Sequence, residues 1–199
     1  MEASNRRADF RVEVPPVFLN ELAIWFCREK DYVRLSASEL GRPHLTLTRL
    51  GSGSMTVSDL SIRGMGMHVT LPPQATAKLT SAKACFIYLQ LADPTADDPY
   101  GILSVFTYSA LVRVASREDG IFLGARFVRF AVGSRLEKTL EFLDAQSCGV
   151  TALARWCDNV ARGAMAEPGR HRAGLDMDHL LEEVEAALAS AGTQSGENT

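Results

Sequence analysis

Short runs of alternating apolar and polar residues, separated by turn-forming residues, occupy the middle of the chain. Such alternation is typical of β-strands with one buried face. Strands are predicted over 45–50, 55–62, 67–71, 83–91, 102–115 and 121–130. The fourth is apolar on both faces, with Cys85, Ile87, Leu89 and Leu91 on one side and Phe86 and Tyr88 on the other. Short strands at this spacing indicate a mainly β fold, either a barrel or a sandwich.

Beyond Gly133 the spacing of apolar residues changes to that of amphipathic helices. Helices are predicted over 134–143, 151–163 and 175–189. A linker is predicted at 168–174, and the polar residues 190–199 are expected to be disordered. Turns or loops are predicted at 51–54, 93–101 and 116–120 from their glycine, proline, serine and aspartate content.

The apolar run at 18–26 fits either a short helix or a buried strand, because periodicity cannot separate the two in so short a segment. We predict a helix there.

Composition and charge narrow the class of protein. The chain has 199 residues, of which 46% are hydrophobic and 23% charged, as in an ordinary globular domain. Its formal net charge of -3 excludes a broad basic surface for DNA or RNA. The charge is uneven, however, because residues 173–199 hold six acidic and no basic residues. The remaining residues are therefore mildly basic, with a net charge of +3.

The cysteines and the N-terminal segment indicate the compartment. The cysteines, at 27, 85, 148 and 157, form no CxxC pair, so we expect reduced, buried thiols. The N-terminal residues lack the apolar core of a signal peptide, and no apolar run reaches the roughly 18–20 residues that span a bilayer. We expect a cytoplasmic protein without membrane insertion.

No enzyme template is present in the sequence. It contains no GxSxG, HExxH or GxxxxGK[ST] motif, and no set of residues that supplies a nucleophile, a base and an oxyanion donor. The adjacent Asp97 and Asp98 are interpreted as a solvated turn. The histidines, His44, His68, His171 and His179, are isolated from other ligand-type residues. We therefore expect no enzyme activity, no metal and no cofactor.

Two segments carry candidate binding chemistry. Three arginines fall within six residues near the N-terminus, at Arg6, Arg7 and Arg11, and alone would be interpreted as a solvated basic segment. The segment 59–64, Asp-Leu-Ser-Ile-Arg-Gly, ends a predicted strand at a glycine and alone indicates a strand-to-turn transition.

In this order the two segments resemble the PilZ domain, a bacterial receptor module for cyclic di-GMP. That family is recognised by an RxxxR motif in an N-terminal loop and a [D/N]xSxxG motif on a barrel strand. The matching residues are Arg7 and Arg11, preceded by Arg6, for the first motif, and Asp59, Ser61 and Gly64 for the second. The resemblance covers about residues 6–145 and includes a late-strand Gly-x-x-Phe at Gly124–Phe127.

The resemblance implies a six-stranded antiparallel β-barrel with C-terminal α-helices. The barrel domain would span 1–145, and a helical extension with a disordered tail would span 146–199. The motifs are 47 residues apart, over 12–58, which is longer than is usual in the family. We assign the excess to an insertion near 17–43.

The resemblance also implies the ligand and a role for each motif residue. Arg7 and Arg11 would clamp cyclic di-GMP, which in the family often binds as an intercalated pair, while Asp59, Ser61 and Gly64 form the floor. An arginine fork pairs with phosphate oxygens or with guanine O6 and N7. A carboxylate accepts from the N1 and N2 donors of guanine. Arg6 is a weaker candidate, and Arg63 is interpreted equally well as solvated.

The expected function is that of a receptor. An N-terminal segment would become ordered on ligand and change the surface offered to a protein target that controls motility, surface attachment or polysaccharide output. With five residues before the arginines, we expect no N-terminal partner domain. The C-terminal helices are candidate docking surfaces for a target or for a second copy in a homodimer. The alternative is a PilZ-like protein-interaction adaptor that binds no nucleotide, although such adaptors typically lack the arginines.

Overall fold

The computed structural model describes residues 10–48, 55–70, 79, 81–93, 101–117, 120–132, 139–163 and 165. These residues form ten strands and two α-helices. The strands are β1 (Val12–Glu13), β2 (Leu19–Cys27), β3 (Arg34–Ser36), β4 (Leu45–Thr48), β5 (Met55–Ser61), β6 (Gly64–Val69), β7 (Ala84–Ala92), β8 (Ile102–Arg117), β9 (Gly120–Val132) and β10 (Thr139–Asp144). The helices are α1 (Ala37–Leu40) and α2 (Ala152–Ala161).

All strand pairs are antiparallel, in the order β1-β5-β6-β9-β8-β7-β2-β4, with β10 pairing with both β9 and β3. The sheet is curled, because residues from its two ends meet in one apolar core. That core, here called the inner core, includes Val12, Leu60 and Met65 from one end of the sheet and Leu22, Ile24 and Leu91 from the other. The predicted mainly β, antiparallel fold is confirmed. The described residues contain ten strands, however, where six were expected.

A second apolar cluster lies on the opposite face of the sheet. It includes Trp25, Phe86, Tyr88, Phe106, Tyr108 and Phe142. The alternation along β7 therefore places one side of the strand in each cluster, as its sequence predicted. The ring of Phe142, on β10, lies 5.8 Å from that of Phe86, so β10 covers this face.

The helix predicted at 18–26 is wrong, because this segment forms β2 between β7 and β4. Its residues alternate between the two clusters, with Leu22 and Ile24 in the inner core and Ala23 and Trp25 on the other side. A strand buried on both faces is apolar throughout and therefore has no polar period to distinguish it from a helix. The region predicted as an insertion thus supplies an interior strand of the sheet.

The prediction of a helix at 134–143 is also wrong over 139–143, the part of this segment that the structure describes. Residues Thr139–Asp144 form β10, paired with the end of β9. Leu140 and Phe142 face the same cluster two residues apart, while Leu143 is 49% exposed. The leucines have helical spacing, but the segment is extended because the end of β9, beyond its pairing with β6, provides backbone hydrogen bonds to β10.

The helix predicted at 151–163 is confirmed as α2, which packs into the inner core. Leu153 and Trp156 are fully buried there. The indole Nε1 of Trp156 donates to the carbonyl oxygen of Ala92 at 2.9 Å, and its ring meets that of Phe18 edge to face at 6.4 Å. This helix is therefore part of the packed β fold. Among the described residues, no helix is long and apolar enough to cross a membrane.

Several predicted elements lie outside the described residues. These are the helix at 175–189, the linker at 168–174, the tail at 190–199 and the turn at 51–54. The domain boundary at 145/146 remains a prediction. The loop at 93–101 is described at its two ends, where the N–H of Asp93 donates to the carbonyl oxygen of Gly101 at 2.7 Å.

The four cysteines are free thiols in three kinds of environment. Cys85 and Cys157 are buried, Cys27 is half-buried and Cys148 is exposed. The prediction of buried thiols is thus wrong for Cys148, which lies in the turn after β10. Burial raises the pKa of Cys27 and of Cys157 to about 11, so at pH 8 only about one in a thousand of these thiols is the reactive thiolate.

Labelling with an aromatic disulfide reagent at pH 8 is therefore expected to modify one thiol rapidly in the native protein and four after denaturation. The fast reaction should disappear in a Cys148→Ser variant. A second rapid thiol in that variant would show that one of the shielded cysteines is accessible.

Candidate functional site

The β5–β6 hairpin places the second motif at one end of the sheet. Val57 and Leu60 both face the inner core, although they are three residues apart. A bulge between Val57 and Asp59 makes this possible, because the extra residue, Ser58, shifts the alternation of the strand. Asp59 therefore lies on the outer face, opposite Gly66 of β6.

The last arginine of the first motif contacts the carboxylate of the second. Nη1 of Arg11 donates to Oδ1 of Asp59, and about a third of each side chain is exposed. Strand β1 creates this contact by pairing Val12 with Leu60 and Glu13 with Asp59. Glu13 and Asp59 are like charges on neighbouring strands, and the Arg11 guanidinium offsets the charge of Asp59. Arg6 and Arg7 lie outside the described residues, so their roles remain predictions.

Ser61 and Gly64 shape the turn of the hairpin. Ser61 is fully buried, and its Oγ accepts from the N–H of Arg63 and donates to the carbonyl oxygen of Gly64, both at 3.2 Å. A Cβ on Gly64 would collide with the carbonyl oxygen of Ala125 on β9. Glycine is required here by the close approach of two backbones. The ligand contacts predicted for Ser61 and Gly64 remain predictions.

This motif turn, Ser61–Gly64, is held by two neighbouring segments, strand β9 and the segment between β10 and α2. The carbonyl oxygen of Ile62 accepts from the N–H of Val150 at 2.7 Å, just before α2. The carbonyl oxygen of Arg63 accepts from the N–H of Phe127 at 2.8 Å, and Nη2 of Arg63 donates to the carbonyl oxygen of Ser147 at 3.2 Å. Arg63 is thus engaged with the segment that leads to α2.

The segment after β10 is itself held by an aspartate. The carboxylate of Asp144 accepts from the hydroxyl of Ser147 and from the N–H groups of Gln146 and Ser147. These hydrogen bonds favour the ionised form and lower the pKa of Asp144. The motif turn is therefore connected to α2 through an ordered chain segment.

Gly66 and Phe122 adjoin Asp59 on the outer face, and Arg113 lies against Phe122 farther along the same face; sequence reasoning missed all three. A Cβ on Gly66 would lie 2.6 Å from Oδ2 of Asp59 and 3.1 Å from Cζ of Phe122, so the carboxylate and the ring lie over this glycine. The guanidinium of Arg113, on β8, lies 5.3 Å from the centre of the Phe122 ring. Phe122 and Arg113 lie within predicted strands and Gly66 does not, and only the strand register places the three on the same face as Asp59.

The described residues contain no cluster of three or more His, Cys, Asp or Glu side chains suited to a metal ion. His44 accepts the N–H of Phe26 at its Nδ1, at 3.2 Å, and His68 packs edge-on against Phe122 with ring centres 5.2 Å apart. His171 and His179 lie outside the described residues, as do Asp97 and Asp98.

Comparisons with known proteins gave matches only among solved structures. No protein-family model and no curated protein matches the sequence. The PilZ domain with c-di-GMP of YcgR from Escherichia coli is 14% identical over 80% of this chain and 94% of that one, with a TM-score of 0.35. The chain is thus similar to a solved PilZ domain. The inhibitor of motility MotI/DgrA of Bacillus subtilis is 10% identical over 81% of this chain, with a TM-score of 0.41. The matched region spans 54% of that protein's length.

Proposed function

We propose that this protein is a receptor for cyclic di-GMP, with its site on the outer face of β5 and β6 beside Arg11. The observation that carries the proposal is the contact between Arg11 and Asp59. These residues belong to motifs 47 residues apart, and the fold brings their side chains together.

The chemistry of this pair suits a guanine dinucleotide. The guanidinium of Arg11 offers a planar set of N–H donors to phosphate oxygens, which lysine could not reproduce. The carboxylate of Asp59 can accept from the N1 and N2 donors of guanine. On binding, a ligand phosphate would replace Asp59 as the partner of Arg11, and Asp59 would turn to the base. Each charged group would exchange one charge-assisted hydrogen bond for another.

The proposed response to ligand is a rearrangement of the segment around Arg11. Strand β1 has two residues and pairs only with β5 among the described strands, so little backbone pairing opposes its movement. The motif turn contacts the segment before α2 through Ile62 and Val150, which offers a route from the site to that helix. We propose that the altered surface is recognised by a protein target. The motility, attachment or polysaccharide process assigned to it follows from the family resemblance.

Calorimetric titration of the full chain with cyclic di-GMP is expected to show saturable binding. Arg11→Ala and Asp59→Ala should each weaken it by about 10- to 100-fold, because each removes a hydrogen bond to a charged group. The stoichiometry distinguishes one bound ligand from an intercalated pair.

Arg34→Ala is the matched control for the arginine variant. Arg34 forms an exposed ion pair of 2.6 Å with Glu141, also between distant segments, on the β3–β10 pair. This variant should bind like the parent. No binding by the intact chain, or unchanged affinity in an Arg7→Ala, Arg11→Ala double variant, would contradict the proposed function.

A further inference from the structure

A row of residues crosses four strands on the outer face of the sheet, beginning at Asp59. The register pairs Asp59 with Gly66, Gly66 with Gly124 and Gly124 with Arg113. Because neighbouring strands lie about 4.8 Å apart, the row is about 14 Å long. Arg11 contacts Asp59 at one end of this outer row, and Arg113 occupies the other end.

The two glycines form a trough in the middle of the outer row, and the ring of Phe122 lies in it. A Cβ on Gly66 would be 3.1 Å from Cζ of Phe122, and one on Gly124 would be 3.8 Å from its Cε1. His68, directly across from Phe122 on β6, packs edge-on against the same ring. The ring is therefore held low on the sheet, between the Asp59 carboxylate and Arg113.

The Arg113 guanidinium lies over the ring of Phe122. The separation of 5.3 Å between the guanidinium carbon and the ring centre is that of a cation–π contact. Within the part of the chain that the structure describes, the Arg113 side chain forms no salt bridge. Arg113 is exposed, so the N–H groups of its guanidinium are accessible to a ligand on the outer row.

The chemistry at this end of the row differs from that at the Arg11 end. In a cyclic dinucleotide the phosphates lie in the central ring and the bases project from it. A ligand with a phosphate at Arg11 can extend a base along the outer row towards Arg113. An arginine fork matches the two acceptors of guanine, O6 and N7, whereas adenine presents an N6 donor beside N7. A stacked arginine is also suited to contact a base through its face.

We propose that Arg113 reads a guanine base of the cyclic dinucleotide and that Phe122 is its positioning residue. The inference rests on the proposed function and adds a specificity determinant outside both motifs. It assigns to Arg113 the recognition of guanine O6 and N7, which adds to the selectivity that the Asp59 carboxylate contributes at N1 and N2, and it leaves to Arg11 the capture of a phosphate.

The test compares the affinities of the full chain for cyclic di-GMP and cyclic di-AMP by calorimetry. Arg113→Ala is expected to weaken cyclic di-GMP binding by about 10-fold or more while leaving cyclic di-AMP binding nearly unchanged, so the selectivity falls. Arg113→Lys should not restore the selectivity, because lysine keeps the charge but lacks the fork. Phe122→Leu should lower the selectivity by a smaller factor, because Arg113 loses the contact that orients it.

Arg117→Ala is the matched control, since Arg117 is an exposed arginine four residues farther along β8, opposite Gly120. It should retain both affinities. Equal losses for the two ligands in Arg113→Ala, full recovery in Arg113→Lys, or parental selectivity in Arg113→Ala would each overturn the inference while leaving the receptor function in place. Absence of binding by the unaltered chain would overturn the receptor function, and the inference with it.

Discussion

Replacing Trp156 with alanine is expected to lower the free energy of unfolding by about 3–5 kcal/mol. The indole is fully buried in the inner core, where it meets Phe18 edge to face. Truncation would leave a cavity the size of the ring and would remove the donor to the carbonyl oxygen of Ala92. Domains of this kind are stable by only about 5–15 kcal/mol, so this single change removes a large fraction of the total.

Urea denaturation followed by circular dichroism measures the effect. Trp156→Phe should lose only about 1–3 kcal/mol, because it retains an aromatic ring but leaves the Ala92 carbonyl without its donor. Arg162→Ala is the surface control at the C-terminal end of the same helix, because it removes only an exposed ion pair with Asp158 and should cost less than about 0.5 kcal/mol. A Trp156→Ala protein as stable as the parent would show that α2 is not integral to the fold.

The strands that sequence analysis identified correctly are those with one polar face or clear turn residues at both ends. The predictions for the segments that form β2 and β10 were wrong for different reasons. Leu22 and Trp25 of β2 are buried on opposite faces, so local sequence could not separate strand from helix, and pairing with β7 decided the outcome. In β10, Leu140 and Leu143 have helical spacing, but the end of β9 provides a partner for an extended chain.

The candidate site could be predicted only in part for a related reason. Asp59, Ser61 and Gly64 belong to one short segment, so their spacing can be recognised directly in the sequence. The neighbours of Asp59 across the sheet depend on register. A bulge between Leu111 and Arg113 shifts the alternation of β8, and a slip of one residue exchanges the faces of a strand. Placing Phe122 beside Asp59, and Arg113 farther along the same face, therefore required the three-dimensional pairing of four strands.

The same dependence on close strand pairing makes Gly64 the second site of large expected effect. Gly64→Ala is expected to lower the free energy of unfolding by about 3 kcal/mol, because the new Cβ would collide with the Ala125 carbonyl, a backbone atom of the paired strand β9. The reduced entropy of the unfolded chain offsets only about 0.4–1 kcal/mol of this loss.

The control for Gly64→Ala is Gly124→Ala, whose Cβ would lie 3.2 Å from Cβ of the Arg113 side chain and 3.8 Å from the Phe122 ring. The 3.2 Å contact needs a shift of only a few tenths of an ångström and the 3.8 Å contact is an ordinary one, so Gly124→Ala should be less destabilising than Gly64→Ala in the same urea titration. Parental stability with lost cyclic di-GMP binding in Gly64→Ala would contradict the packing role, since it would mean that this glycine makes room for the ligand. Lost stability, with binding retained by the molecules that remain folded, would show that Gly64 acts by holding β6 against β9.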